Sequence, residues 1–209
     1  PFSIQLFGDD PAHMAKAAKL LLPYAPQMID LNMGCPVPKV AGNGSGSALM
    51  KDPSRASAIT AAVAEAVPIP VTVKIRKGWD ENSVNAPAFA RLMEQSGAAA
   101  VAVHGRTRQQ MYRPPVGREI IPLVKENVSV PVIGNGGITD AFSAETMYNE
   151  TGCDLVMVAQ GSYGRPWIFS EIRSYLKDGT IPAEPTLPEK LDIMLEHVSL
   201  AVADKGEHT

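Results

Sequence analysis

Cysteine is the scarcest reactive group in this chain. There are two in 209 residues, Cys35 and Cys153, too few for a disulfide framework and too far apart in sequence for a metal pair. The four histidines form no cluster, which argues against a His-rich hydrolytic metal centre; no metal is expected. No apolar run is long enough to span a bilayer and no secretory leader pattern is present, so no membrane association is expected. Positive charge is not in excess. The net charge of −3 gives no overall basic signature for nucleic acid, although it leaves a local basic face open. A reduced, cytoplasmic setting fits this composition, and nothing calls for an obligate protein partner.

What is present is a mixed α/β pattern. The 45% hydrophobic and 20% charged content describes one ordinary domain, or one with a partial second. Seventeen glycines and eighteen prolines lie between apolar runs and predict many short loops. Few aromatics (6%) and plentiful Ala and Val suit a parallel core. Strands are expected over 2–7, 29–32, 70–76, 99–104, 131–135 and 155–160. Helices are expected from Asp9 or Asp10 to about Leu22, over 47–51 and 53–67 with Asp52 as N-cap, and over 84–96, 118–126 and 141–151. Short helices follow over 166–169 and 171–176. A Pro-rich linker, 181–187, then leads to an amphipathic helix beginning near Pro188. Residues 39–47, rich in Gly and Ser, predict a mobile loop. The chain opens on a strand at Pro1 and ends in a helical pattern at Glu207-His208-Thr209, so a piece of a longer protein is expected.

Six strand–helix units in strict alternation imply parallel strands with helical crossovers. Each strand carries polar residues at its C-terminal end: Gln5; Asn32 with Cys35; Lys74 with Arg76; His104 with Arg106; Asn135; Gln160. A doubly wound sheet concentrates its site at one switch point, whereas polar groups on every strand describe the mouth of a barrel. The expected fold is therefore an α/β TIM (β/α)8 barrel, incomplete at six units, plus the start of a C-terminal helical domain. The expected division is 1–180 for the barrel and 181–209 for the linker and helical start.

Taken singly, these residues are ambiguous. Cys35 in Asn32-Met33-Gly34-Cys35-Pro36 could be a small packing residue. Lys74 could be solvated or form a Schiff base, and His104 could be structural. The set lacks paired carboxylates, which argues against glycosidase chemistry. Glycine loops at Gly134-Asn135-Gly136-Gly137 and Gln160-Gly161 sit where barrels bind phosphate, with backbone N–H groups open to close approach. A phosphate-anchored cofactor with a polar planar ring would lay that ring against Lys74, His104 and Gln5. Flavin mononucleotide (FMN) fits this description. Two other readings stay open: a Schiff-base lyase or aldolase using Lys74, and a non-catalytic RNA-binding fragment.

The chain resembles the flavin-dependent tRNA-dihydrouridine synthases, in particular their bacterial DusB-like branch. The segments that carry this are Ile4-Gln5-Leu6-Phe7-Gly8, Asp30-Leu31-Asn32-Met33-Gly34-Cys35-Pro36, Val73-Lys74-Ile75-Arg76, His104-Gly105-Arg106-Thr107-Arg108, Pro131-Val132-Ile133-Gly134-Asn135-Gly136 and Gly164-Arg165-Pro166-Trp167. They run in order along nearly the whole chain. The resemblance implies a flavin barrel and a small helical tRNA-holding domain. It also implies reduction of the uridine C5–C6 double bond in tRNA by reduced FMN, with NADPH as the ultimate reductant. By the same resemblance, Gln5, Lys74, His104, Asn135, Gly136, Gly137, Gln160 and Gly161 bind FMN. Cys35 is the general acid, and Asn32, Arg106 and Arg108 contact substrate. A thiol suits that role because it is mostly protonated at neutral pH yet releases its proton readily.

Two departures from the family pattern concern the phosphate. Ala159-Gln160 stands where a Gly-Arg or Ala-Arg pair is frequent, and Asn135-Gly136-Gly137 where Asn-Gly-Asp is frequent. Phosphate affinity is then expected to rest on backbone N–H groups and on Arg106 or Arg165. Cys153 is expected to be structural, packed between strand and helix.

Overall fold

The computed structural model describes residues 1–206; Glu207, His208 and Thr209, expected within the last helix, lie outside the described residues. The elements alternate in chain order. They are β1 (Ser3–Leu6), α1 (Pro11–Leu21), β2 (Met28–Met33), a one-turn α2 (Pro38–Ala41), α3 (Pro53–Ala66), β3 (Val71–Arg76) and α4 (Ala86–Gln95). After these come β4 (Ala100–His104), α5 (Ile120–Lys125), β5 (Val132–Asn135), α6 (Ala141–Thr151), β6 (Leu155–Met157), α7 (Ile168–Asp178) and α8 (Leu187–Lys205). The sheet order is β1-β2-β3-β4-β5-β6 with every neighbouring pair parallel. Among the described residues no strand order reverses and there is no switch point; the arrangement is six consecutive βα units of a TIM barrel.

Strand alternation sorts the side chains by face. Ile29, Leu31 and Met33 of β2, Val71, Val73 and Ile75 of β3, and Val101 and Val103 of β4 are buried against the helical layer. Helices answer with apolar positions at three- and four-residue spacing: Ala56, Ile59 and Val63 on α3; Phe89, Ala90 and Met93 on α4; Ala144 and Met147 on α6. The opposite strand face carries Asp30, Asn32, Thr72, Lys74, Arg76 and His104. The polar site is thus the second face of strands whose first face builds the core. Cys153 is buried beside Gly134 and Met147, between β5 and α6, as expected of a packing residue.

The helix starts follow their caps. The Asp10 carboxylate accepts from the His13 N–H, with Pro11 opening α1, and Asp52 caps α3 through the Arg55 N–H. A capping box between Asp140 and Ser143 opens α6, and Gly152 closes it in the left-handed conformation.

Two local expectations are corrected. The helices expected over 166–169 and 171–176 are one continuous α7. Ile168 and Ile172 keep the helical apolar period across the expected break, and the Ser170 hydroxyl bonds back to the Trp167 carbonyl. The loop expected over 39–47 begins as the helical turn α2, started by Pro38 and held by the Gly42 N–H on the Pro38 carbonyl. It ends with Gly46 and Ser47 buried in a 3-10 turn, Gly46–Lys51. Among the described residues no helix is long and apolar enough to cross a membrane.

Candidate active site

A cavity of about 450 Å³ opens at the C-terminal ends of the strands. In strand order it is lined by Gln5, Asn32 and Cys35, then by Lys74, His104 and Arg106, and then by Asn135, Gly136, Gly137, Gln160 and Gly161. The structure therefore gathers the whole predicted constellation except Arg108. That side chain stacks on the Trp79 ring, 4.7 Å from its centroid, with Lys51 on the same ring at 4.6 Å. Arg165 also stays out of the cavity: it pairs with Glu171 at 2.6 Å and donates to the Thr139 carbonyl at 3.0 Å. Of the two arginines expected near a phosphate, Arg106 lines the cavity and Arg165 does not.

The Cys35 turn is held from several directions. Asn32 Oδ1 accepts from the Gly34 and Cys35 N–H groups at 3.1 and 2.9 Å, an Asx turn closing the strand end. Arg76 Nε donates to the Gly34 carbonyl at 2.7 Å, and the Ser47 N–H reaches the Cys35 carbonyl at 3.1 Å. Arg76 Nη1 donates also to the Thr107 and Met111 carbonyls at 2.8 and 2.9 Å, so one buried guanidinium ties the Cys35 turn to the loop after β4. Burial lowers its pKa to about 10, partly offset by Tyr112, and it stays charged at neutral pH.

Lys74 faces the same cavity. Burial first, and then the charge of Arg76, bring its pKa down to about 8, with Asp30 acting in the opposite sense. His104 lies beside it, brought down to about 3 by burial and by the charges of Lys74 and Arg76. Its Nδ1 meets Asn135 Oδ1 at 2.8 Å. Asn135 Nδ2 donates to the Met157 carbonyl at 2.8 Å, so the Asn135 oxygen must be the atom facing the imidazole. The site holds a lysine cation next to a neutral histidine whose Nε2 keeps its lone pair.

The glycine loops are required by space. Gly136 and Gly137 have φ of +122° and +71°. A Cβ on Gly161 would fall 2.3 Å from the Ile138 carbonyl oxygen, so the loops after β5 and β6 touch backbone to backbone. Among the described residues no group of three or more His, Cys, Asp or Glu side chains is placed to hold a metal ion.

Sequence reasoning missed Asp30 and Thr72. They stand two positions before Asn32 and Lys74 on the same strand faces, and that parity was the available signal. Asp30 accepts from Gln5 Nε2 and from Thr72 Oγ1, both at 2.6 Å. Burial raises its pKa, opposed by those two hydrogen bonds and by Lys74.

These features define the class: a TIM-barrel protein, present here as six βα units, with a polar cavity at the C-terminal strand ends. A solved dipeptide epimerase from Enterococcus faecalis V583, complexed with Mg and the dipeptide L-Leu-L-Tyr, shares the fold. It aligns at a TM-score of 0.52 and 15% identity over 74% of this chain and 37% of that one, a likeness of fold alone. The family model for dihydrouridine synthase (Dus) matches residues 1–209, and the chain belongs to that family. Its relatives include a probable tRNA-dihydrouridine synthase of Rickettsia conorii, 46% identical over 98% of this chain and 62% of that protein. Another is tRNA-dihydrouridine synthase B of Pseudomonas aeruginosa, 44% identical over 95% of this chain and 60% of that protein. The chain thus spans about three-fifths of the length of these curated relatives.

Proposed function

We propose that this cavity is the active site of an FMN-dependent tRNA-dihydrouridine synthase, reducing the C5–C6 double bond of uridines in tRNA, with NADPH as the ultimate reductant. The observation that carries the reading is the convergence of Cys35, Lys74, neutral His104 and two glycine loops in one cavity, in a chain of this family. The names of its relatives support tRNA as the substrate.

The residues present fit FMN. Gly136, Gly137 and Gly161 line the cavity, and an added Cβ there would press on Val116, the His104 ring or the Ile138 carbonyl and distort the loops; backbone so exposed suits a phosphate. Gln160 and Arg106 line the same cavity. Gln5, Lys74, His104 and Asn135 supply donors and one cation for a polar ring. When bound, reduced FMN supplies a hydride to C6 of the uracil.

The chain's own residues do the rest. Lys74 Nζ has no hydrogen-bond partner among the described residues and is available to balance negative charge on the cofactor. Cys35, its backbone fixed on both sides, delivers a proton to C5 and regains one from solvent. Asn32 commits one amide proton to Gln5 at 2.9 Å and keeps the other for a uracil carbonyl. Arg106 and Arg108 serve the RNA, Arg108 from the Trp79 stack outside the cavity rather than at the base.

The test is position-by-position mass spectrometry of unmodified tRNA treated with the full-length protein. Dihydrouridine forms with wild type, and Cys35→Ala slows it by about 100-fold or more. A wild-type rate in Cys35→Ala ends the acid assignment. The lowered pKa of Lys74 is also what a Schiff-base lysine shows. Borohydride trapping of a carbonyl substrate on Lys74, in a protein without a flavin spectrum, would favour that second reading.

A further inference from the structure

The hydrogen bonds around Cys35 run back, link by link, to a carboxylate that does not line the cavity. Strand register sets Gln5 opposite Asp30 and Asp30 opposite Thr72. Asp30 is buried at 8% exposure and, ionised, can only accept hydrogen bonds. It therefore fixes which end of the Gln5 amide faces it: Nε2 donates to Asp30 Oδ2 at 2.6 Å, leaving Gln5 Oε1 toward Asn32. Asn32 Nδ2 donates to that oxygen at 2.9 Å, which turns Asn32 Oδ1 to the Gly34 and Cys35 N–H groups. A primary amide has a donor end and an acceptor end. Each link can therefore hold only one way round once the first is set. If Gln5 flipped, Asn32 would face an N–H with an N–H, and the turn would lose its acceptor or its brace.

We propose that Asp30 is the positioning residue for Cys35, acting through the amide relay Gln5–Asn32 on the backbone that carries the thiol. Thr72, which donates to the other Asp30 oxygen at 2.6 Å, holds the carboxylate from its second side. The thiol's catalytic role rests on the function proposed above; the relay itself concerns only the Cys35 turn and stands apart from it.

Two substitutions separate the relay from the charge. Asp30→Asn keeps an oxygen for Gln5 and turns its amide N–H to the Thr72 hydroxyl, which can accept. It removes the negative charge near Lys74 and preserves the relay. Asp30→Leu removes both. In the full-length protein, amide hydrogen exchange at residues 34 and 35 is expected to rise about 10-fold in Asp30→Leu, as for the loss of one hydrogen bond. It stays within about 3-fold of wild type in Asp30→Asn, whose hydrogen bonds persist. The iodoacetamide alkylation rate of Cys35 changes in Asp30→Leu and not in Asp30→Asn. Gln5→Met reproduces Asp30→Leu, and the double variant is no worse than either single one, since both cut the same chain. On tRNA, kcat falls with KM near wild type.

The relay is overturned by unchanged exchange in Asp30→Leu, by Asp30→Asn behaving like Asp30→Leu, or by additive effects of the two cuts. Exchange in α6 monitors folding. If Asp30→Leu unfolds, Gln5→Met decides, and unchanged exchange at residues 34 and 35 in that variant overturns the relay. Absence of dihydrouridine with wild type counts against the proposed function, while the exchange pattern still decides the relay.

Discussion

His104 Nδ1 lies 2.8 Å from Asn135 Oδ1, and that contact fixes where the imidazole carries its proton. The Asn135 amide is itself oriented by the Met157 carbonyl, so β4, β5 and β6 are tied across their C-terminal ends by one acceptor–donor sequence. Nε2 is left as an acceptor, 3.5 Å from Arg106 Nη1. The cavity thus offers a hydrogen-bond acceptor on one strand next to a cation on its neighbour; burial keeps the imidazole neutral and works against the charge of the lysine.

A pH prediction follows for His104. Below about 6.5 the unfolded chain takes up a proton at this histidine. The folded chain resists until about pH 3. The unfolded state binds more protons in that window, so stability falls as pH drops from about 6.5 toward 3, by an amount on the order of a few kcal/mol. Urea unfolding against pH measures this, and His104→Gln flattens the slope. Nitrogen-15 shifts of the wild-type imidazole are expected to show the neutral Nδ1–H form at pH 5; an imidazolium there would contradict the assignment.

Lys74 carries a lowered pKa of the same sign at higher pH. The folded value is about 8, against about 10.4 when unfolded. Between them the unfolded state holds the extra proton, so wild-type stability gains as pH rises from 8 to about 10.4. Relative to wild type, Lys74→Met gains stability as pH falls through the same window, by on the order of 3 kcal/mol, and the advantage is nearly complete at pH 7. Dihydrouridine formation is lost in the same variant. A pH-independent difference in unfolding free energy would show that the ammonium is not held against a desolvation cost.

The barrel was legible because strand parity and turn residues act locally. Ile29, Leu31 and Met33 alternate with Asp30 and Asn32, and the strand-end residues project from the same edge. The Asp30–Gln5–Asn32 relay was not legible, since 25 positions separate Gln5 from Asp30 and only strand register brings them together. The position of Arg108 was not legible for a related reason. Its motif neighbour Arg106 reaches the cavity, but Trp79, from a loop far away in sequence, offers Arg108 an aromatic face instead.

Gly161→Ala tests the glycine loops. Its Cβ would meet the Ile138 carbonyl oxygen at 2.3 Å and Thr139 Cα at 3.0 Å, both backbone, so one loop must move. The expected result is a loss of about 1–3 kcal/mol in stability, as for other overpacked sites. FMN affinity falls with it, measured by fluorescence titration of the flavin. Gly164→Ala is the control: nothing lies within 4 Å of its Cβ, although its φ of +65° carries its own strain. Equal flavin affinity in wild type and Gly161→Ala would detach the glycine loops from the cofactor.

Arg76→Lys separates charge from geometry at the junction of two loops. The guanidinium reaches Gly34 through Nε and both Thr107 and Met111 through Nη1. A lysine keeps the positive charge but has one nitrogen on an unbranched stem, and it cannot serve the two loops from two separated donors. Each bond lost from a charged donor to a buried carbonyl is worth about 1.5–3 kcal/mol. Stability is therefore expected to fall by about that amount, with faster amide exchange at residues 34–35 and 107–111 together. The turnover should fall by about 10-fold or more, because the thiol is no longer held within a fraction of an ångström of its target. Coupled loosening of the two loops is the signature of the shared guanidinium. If exchange rises at only one of them, Arg76 braces that loop alone, and Cys35 is positioned by the Asn32 side.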